Sequence, residues 1–391
     1  MADDSATTPA GRTGPLAGVT VLELGGIGPG PFAGMMLADL GATVIRVVRG
    51  PGWDTHPILH RGRVAVAVDL KDPAGLAAVR RIAERCDVVI EGFRPGVAER
   101  LGLGPKELRE DNPRLVYGRM TGWGQDGPWA WAPGHDINYL SLTGGLHAIG
   151  PKGGDPVPPL NLVADFGGGG MLLAYGVVCA LLGARVSGKG QVVDAAMVDG
   201  ASLLLSMAHG QLAAGKWTEE RGSNVLDGAA PFYRTYRCSD GAHMAVGCVE
   251  PQFYRAFLDV LDLVDDPLFE AHSQFDTARW DEQVERIAAV FAARPRAEWE
   301  ADFERTEACT TPVLTMAEAA THPHVAARRT LAEGNGITQP MPAPRFSDTP
   351  ATLPERGSGS PALVRATLHG LGLSEDDVAA LLHGPAGTPD A

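Results

Sequence analysis

The sequence predicts an α/β protein with a large, Rossmann-like doubly wound lobe and a smaller α+β lobe. Up to about residue 200, short β-branched runs alternate with helical ones, the pattern of a mostly parallel sheet covered by helices. After about residue 230 the pattern turns to a hairpin followed by charge-decorated helices. A chain of 391 residues is long enough to bury two cores. The expected division is a disordered lead at 1–14, a large lobe at 15–200 and linker helices at 201–230. A small lobe at 231–320, a linker at 321–340 and a return to the large lobe at 341–391 complete it.

Val19 to Leu24 reads as the first strand, and Pro31 opens a helix carrying Phe32, Met35, Met36 and Leu40 that Gly41 ends. Val44 to Val48 is the next strand. Asp72 and Pro73 have the cap and first-turn chemistry for a helix through Arg85. Asp87 to Glu91 and Leu115 to Gly118 follow as strands. Phe232 to Arg237 and His243 to Val246 flank Ser239-Asp240-Gly241, a hairpin signature. Helices are expected from Pro251 to about Glu307, a loop from Pro340 to Ser360, and a last amphipathic helix, Ser374 to Leu382, docked on the large lobe.

Composition removes several function classes. A net charge of −14 argues against a nucleic-acid surface, which needs a basic stripe, but leaves room for a local basic pocket for a phosphate-rich cofactor. The five cysteines are scattered without a Cys-x-x-Cys pair, and no His/Cys/Asp/Glu cluster has metal-ligand spacing. There is no Gly-x-Ser-x-Gly elbow for a serine hydrolase. Met1 to Ser5 lacks the basic and apolar regions of a signal peptide, and Thr388 to Ala391 is not a Ser-Lys-Leu-type address, so a cytoplasmic location is expected. Phe166 to Ala184 is 19 residues without charge. Its four leading glycines and nearby charged ends favour a buried core helix over a membrane span.

Gly28-Pro29-Gly30-Pro31-Phe32-Ala33 formally matches a dinucleotide fingerprint. Pro29 and Pro31, however, remove two N–H donors from the turn that would cradle a pyrophosphate. Arg49 stands where an NAD enzyme places an acid, and an arginine there suits a phosphate-bearing ribose, as in CoA or NADP.

The most informative stretch is Gly134-His135-Asp136-Ile137-Asn138-Tyr139. It puts His135 at a helix start, 30 residues before a second one at Asp165-Phe166-Gly167-Gly168-Gly169-Gly170. A neutral imidazole and a carboxylate at two helix N-termini suit proton transfer across a substrate. As a simple helix cap Asp165 would need no further role, but its glycines offer bare backbone for close approach of a ligand. The backbone N–H of Asp136 is a candidate donor to an oxyanion. Asn138 and Tyr139 are candidate pocket-shaping residues.

With Leu22-Glu23-Leu24 through Gly34, these residues closely resemble the α-methylacyl-CoA racemases of the class III CoA-transferase superfamily, over Gly18 to about Ser347. The resemblance implies that Arg49, the turn Val68-Asp69-Leu70-Lys71, the loop Gly92-Phe93-Arg94 and Arg100 hold the CoA diphosphate, with Gly134 beside them. It implies that His135 and Asp165 face one another across the substrate α-carbon. Glu250, of Glu-Pro-Gln-Phe-Tyr, would share the proton of His135. It further implies an interlocked homodimer, an acyl-CoA substrate and no separate cofactor, CoA entering as part of the substrate. The alternative within the superfamily is a CoA-transferase using Asp165 as its acyl-carrying nucleophile. A non-catalytic CoA-binding protein ranks third.

Overall fold

The computed structural model describes residues 13–50 and 56–382, so most of the expected lead-in, residues 1–12, lies outside it. The chain forms two compact units, one from 1–143, 160–204 and 324–391, the other from 144–159 and 205–323. Residues 144–159, expected in the large lobe, belong to the second unit. Arg221 binds them there, donating to the carbonyls of His147 and Gly154, each at 2.8 Å. Residues 205–230 join the same unit and form no separate linker.

The first unit is built on six parallel strands: β1 (Thr20–Leu24), β2 (Thr43–Val48), β3 (Arg63–Ala67), β4 (Val88–Glu91), β5 (Val116–Thr121) and β6 (Val192–Ala196). Their order, β3-β2-β1-β4-β5-β6, is that of a doubly wound sheet. The chain reverses direction across the sheet between β1 and β4, where such folds open a crevice at the strands' carboxyl ends. Helix α1 (Pro29–Asp39) starts two residues before the expected Pro31, and its two prolines stand in the first turn. Helix α2 (Pro73–Ala83) has the expected cap, with the Asp72 carboxylate accepting the Gly75 N–H at 3.1 Å.

Two strands of this six-stranded sheet escaped the sequence reading. β3 follows the charged stretch His60 to Arg63 and looks solvated, yet Val64 and Val66 are buried. Its outer edge is covered by the chain near Ser358, whose carbonyl accepts the Ala65 N–H at 2.9 Å. β6 is short and pairs only with β5.

Helix α3 (Asp136–Leu142) begins directly after His135. Leu162–Met171 is a π-helix that runs on into α4 (Leu172–Ser187). The Phe166 N–H accordingly reaches back five residues to Asn161. Asp165 therefore lies within the first turn and does not cap the helix, as the sequence reading had it. The glycines also play a different part from the one expected. Gly168, Gly169 and Gly170 are buried against protein, so they serve packing, not access for substrate. A Cβ on Gly168 would come within 2.5 Å of the Ala201 nitrogen, on helix α5 (Met197–Leu204). A Cβ on Gly200 would sit 1.8 Å from the Gly168 carbonyl oxygen. Both collisions are with backbone, which cannot rotate aside. Gly200→Ala is thus expected to destabilise the protein by about 1–3 kcal/mol and to loosen the π-helix. Faster amide exchange across Leu162–Met171 would check it, and unchanged exchange would contradict it.

Helix α4 is apolar all round. Leu173, Val177 and Ala180 pack on the sheet, but Tyr175, Leu182 and Val186 on the opposite side are 68%, 67% and 85% exposed. The expected core helix is thus buried along one stripe only. The segment Leu162–Ser187 is long and apolar enough to cross a membrane.

In the second unit, β7 (Tyr233–Arg237) and β8 (His243–Gly247) form the expected hairpin, and β9 (Thr310–Val313) adds a third antiparallel strand. Helices α6 (Pro251–Val260), α7 (Trp280–Phe291) and α8 (Arg296–Phe303) enclose an aromatic core around Phe257 and Phe291. The chain then returns to the first unit. There α9 (Pro361–Gly370) and α10 (Glu375–Leu382) bury Val364, Leu368, Val378 and Leu381 in the core formed by α2 and the sheet.

Candidate active site

The carboxyl ends of β1, β4 and β5 border a cavity of about 760 Å³ in the first unit. The β1–α1 loop, Gly25 to Gly30, forms one wall, and Gly92 to Pro95 after β4 forms another. His135, Asn138, Tyr139 and Asp165 complete it. The fold thus brings together on one cavity two residues 30 apart in sequence, His135 and Asp165.

Each is placed by backbone devices. His135 is exposed at the N-cap of α3, and the Asn138 side chain accepts its backbone N–H at 3.1 Å. Asn138 therefore fixes where the imidazole begins. Tyr139 lies in a slot that only glycines allow, since a Cβ on Gly122 or Gly134 would come within 2.0 or 2.7 Å of its ring. Its hydroxyl donates to the Gly134 carbonyl. Burial pushes its pKa up to about 12, so the phenol stays protonated.

Asp165 points the other way electrostatically from an ordinary surface aspartate. Burial raises its pKa, the hydrogen bond from Asn161 lowers it, the Asp136 charge raises it, and His135 lowers it. The net direction is upward, which favours the protonated form of this carboxyl more than in an ordinary surface aspartate. Asp136 is the first residue of α3, where the N–H has no acceptor within the helix; the residue is buried and is not among those that line the cavity.

The CoA-binding candidates separate into groups. Gly92, Phe93, Arg94 and Gly134 line the cavity. Arg49 and Lys71 are exposed just beyond β2 and β3, on the same carboxyl edge of the sheet. Asp69 accepts the Lys71 N–H at 2.9 Å and shapes that turn. Val68 is buried and Leu70 packs against the core, so these two side chains hold the turn in place. Arg100 is exposed at the end of a short helix, Val97–Arg100. Glu250 belongs to the second unit, exposed at the N-cap of α6.

Sequence reading missed the charges that hold the cavity walls. Glu23, in mid-β1, is fully buried and pairs with Arg46 on β2 and with Arg63 on β3, the latter at 3.1 Å. Arg46 also donates to the Gly26 carbonyl at 2.9 Å, and Arg63 to that of Pro31. Both ends of the β1–α1 loop are thereby tied to one buried carboxylate. Similarly, Glu91 accepts the Phe93 N–H at 2.7 Å and pairs with Arg119 at 3.0 Å. A signal was present: single charges within β-branched runs, as in Val-Leu-Glu-Leu and Val-Ile-Arg-Val.

The family model described as CoA-transferase family III matches residues 16–363. An α-methylacyl-CoA racemase of Mus musculus is 48% identical over 337 residues, covering 86% of this chain and 87% of that one. That of Homo sapiens is 47% identical over 343 residues, with the same coverage of 86% and 87%. Among solved structures, a CAIB/BAIF family protein from Brucella suis superposes with a TM-score of 0.77 at 26% identity. The alignment covers 91% of this chain and all of that one.

Proposed function

The chain belongs to CoA-transferase family III, and within that family we infer that it interconverts the 2R and 2S forms of 2-methylacyl-CoA thioesters. The observation that carries this reading is His135 and Asp165 on one cavity at the sheet's switch point. A CoA-transferase needs the carboxylate alone, as nucleophile. A racemase needs two groups that exchange protons with opposite faces of one carbon.

In the forward direction, neutral His135 takes the α-proton, and the C–H electron pair moves into an enolate whose charge rests on the thioester oxygen. The Asp136 N–H stabilises that oxygen. Asp165, in its protonated form, delivers its proton to the other face, and exchange with water restores both groups. The reverse reaction runs from Asp165 to His135. Glu250 is the proposed partner of His135, orienting the imidazole and sharing its proton. CoA arrives as part of the substrate, with Arg49, Lys71, Arg94 and Arg100 as the proposed diphosphate ligands and no separate cofactor. The exposed apolar stripe of α4 supports a homodimer that covers it.

The test is incubation of one acyl-CoA epimer in heavy water without any acceptor acid. Deuterium at the α-carbon and appearance of the second epimer are expected. A transferase or a CoA-binding protein without catalysis would give neither.

A further inference from the structure

Asp136 adjoins both proposed proton carriers. It follows His135 directly, and only 5% of it is exposed. Its Oδ2 accepts the N–H groups of Ala164 and of Asp165 itself, both at 2.8 Å. These are first-turn donors of the π-helix, which has no acceptor of its own for them. A side chain of α3 thus caps the helix that carries Asp165.

We propose that the Asp136 carboxylate is a positioning residue, holding the Asp165 carboxyl and the His135 imidazole at a fixed separation across the substrate α-carbon. This rests on the racemase reading and assigns a function to the Asp136 side chain beyond that of its backbone N–H. The link is short. From the His135 backbone to the Asp165 nitrogen it passes through one residue and one hydrogen bond, so neither helix can shift against the other without breaking this cap. Lateral errors of about 1 Å at a reacting centre can cost roughly 10²-fold in rate, which is the scale of effect such a clamp would have.

The clamp also carries a charge. The polar groups facing Asp165 are Asn161 on its own helix and His135, Asp136 and Tyr139 from α3, while the β1–α1 loop presents Gly28. The Oδ1 of Asp136 is buried without a hydrogen bond from the described residues, so its charge acts on Asp165 with little screening. The Asp136 charge raises the Asp165 pKa and favours its proton-carrying form.

Asp136→Ala and Asp136→Asn separate the two effects. Alanine removes both cap and charge, whereas asparagine keeps an acceptor oxygen and loses only the charge. α-Deuterium incorporation would be followed on each epimer across pH. For Asp136→Ala we expect kcat to fall about 10²-fold, with KM for acyl-CoA changed no more than a few-fold. Asparagine should recover at least about tenfold of that loss. Because a neighbouring anion is removed, the acid limb assigned to Asp165 should move to lower pH in both variants. Carboxyl-carbon NMR of Asp165 reads the same shift without turnover. Wild-type kcat in Asp136→Ala, or an Asp165 titration that does not move, would overturn the proposal. So would equal loss in both variants accompanied by lost CoA binding. Absence of exchange in the wild-type protein would instead remove the racemase reading, and the NMR titration would then decide the positioning role alone.

Discussion

Replacing His135 by alanine is expected to slow α-proton exchange by about 10²- to 10⁴-fold, the range for losing a general base. That is a barrier increase of roughly 3–5 kcal/mol. The fold should survive. His135 is exposed, and the hydrogen bond from its backbone N–H to Asn138 is available to alanine as well. The proposed CoA-binding residues Gly92 to Arg94 lie on a different loop, so binding of CoA itself should be nearly unchanged. The informative measurement is exchange of the two epimers separately. On the proposed mechanism one proton is taken by His135 and the other by Asp165, so Asp165→Asn should show the opposite epimer preference from His135→Ala. Full activity in His135→Ala would remove the imidazole from the mechanism.

Replacing Glu23 by alanine is expected to be the most destabilising single change in the first unit. Among the described residues, Glu23 is a carboxylate that pairs with both Arg46 and Arg63. Burial pushes the Arg63 guanidinium below its ordinary value, and the charge and hydrogen bond of Glu23 pull it back. Without Glu23 the buried Arg63 guanidinium, 2% exposed, loses its paired carboxylate and still faces the charge of Arg46. Removing one partner of a buried ion pair costs about 3–5 kcal/mol, and here the remaining charges also repel. Glu23→Gln should cost less, because an amide oxygen still accepts one of the hydrogen bonds. Amide exchange in β1 to β3 reads this locally. The β1–α1 loop should loosen with it, since Arg46 and Arg63 hold the Gly26 and Pro31 carbonyls. A loss below about 1 kcal/mol in Glu23→Ala would show that the arginines find other partners.

Much of this was legible in the residues themselves. The strand at Thr20–Leu24, the capped helix at Pro73, the hairpin around Asp240 and the helix start at His135 all follow from local chemistry: β-branched runs, a capping carboxylate, a glycine turn. Such signals act within a few residues, so they need no knowledge of the rest of the chain. The resemblance to the racemases that the motif from Gly134 to Tyr139 carries agrees with the relatives found.

What local signals could not supply was the identity of long-range partners. Arg63 reads as a surface charge until Glu23, 40 residues away, is placed beside it. The four glycines after Asp165 read as open backbone until α5 and α1 are packed on them. Asp136 reads as an ordinary first-turn acid until Ala164 and Asp165 donate to it. By itself the sequence determined the elements, their alternation and the kinds of groups available for proton transfer. Only the tertiary structure decided which charges are buried, which helix caps which, and that His135 and Asp165 share one cavity. The reason is physical: propensity and capping are set by neighbours along the chain, whereas burial and electrostatic pairing are set by whatever the fold brings alongside.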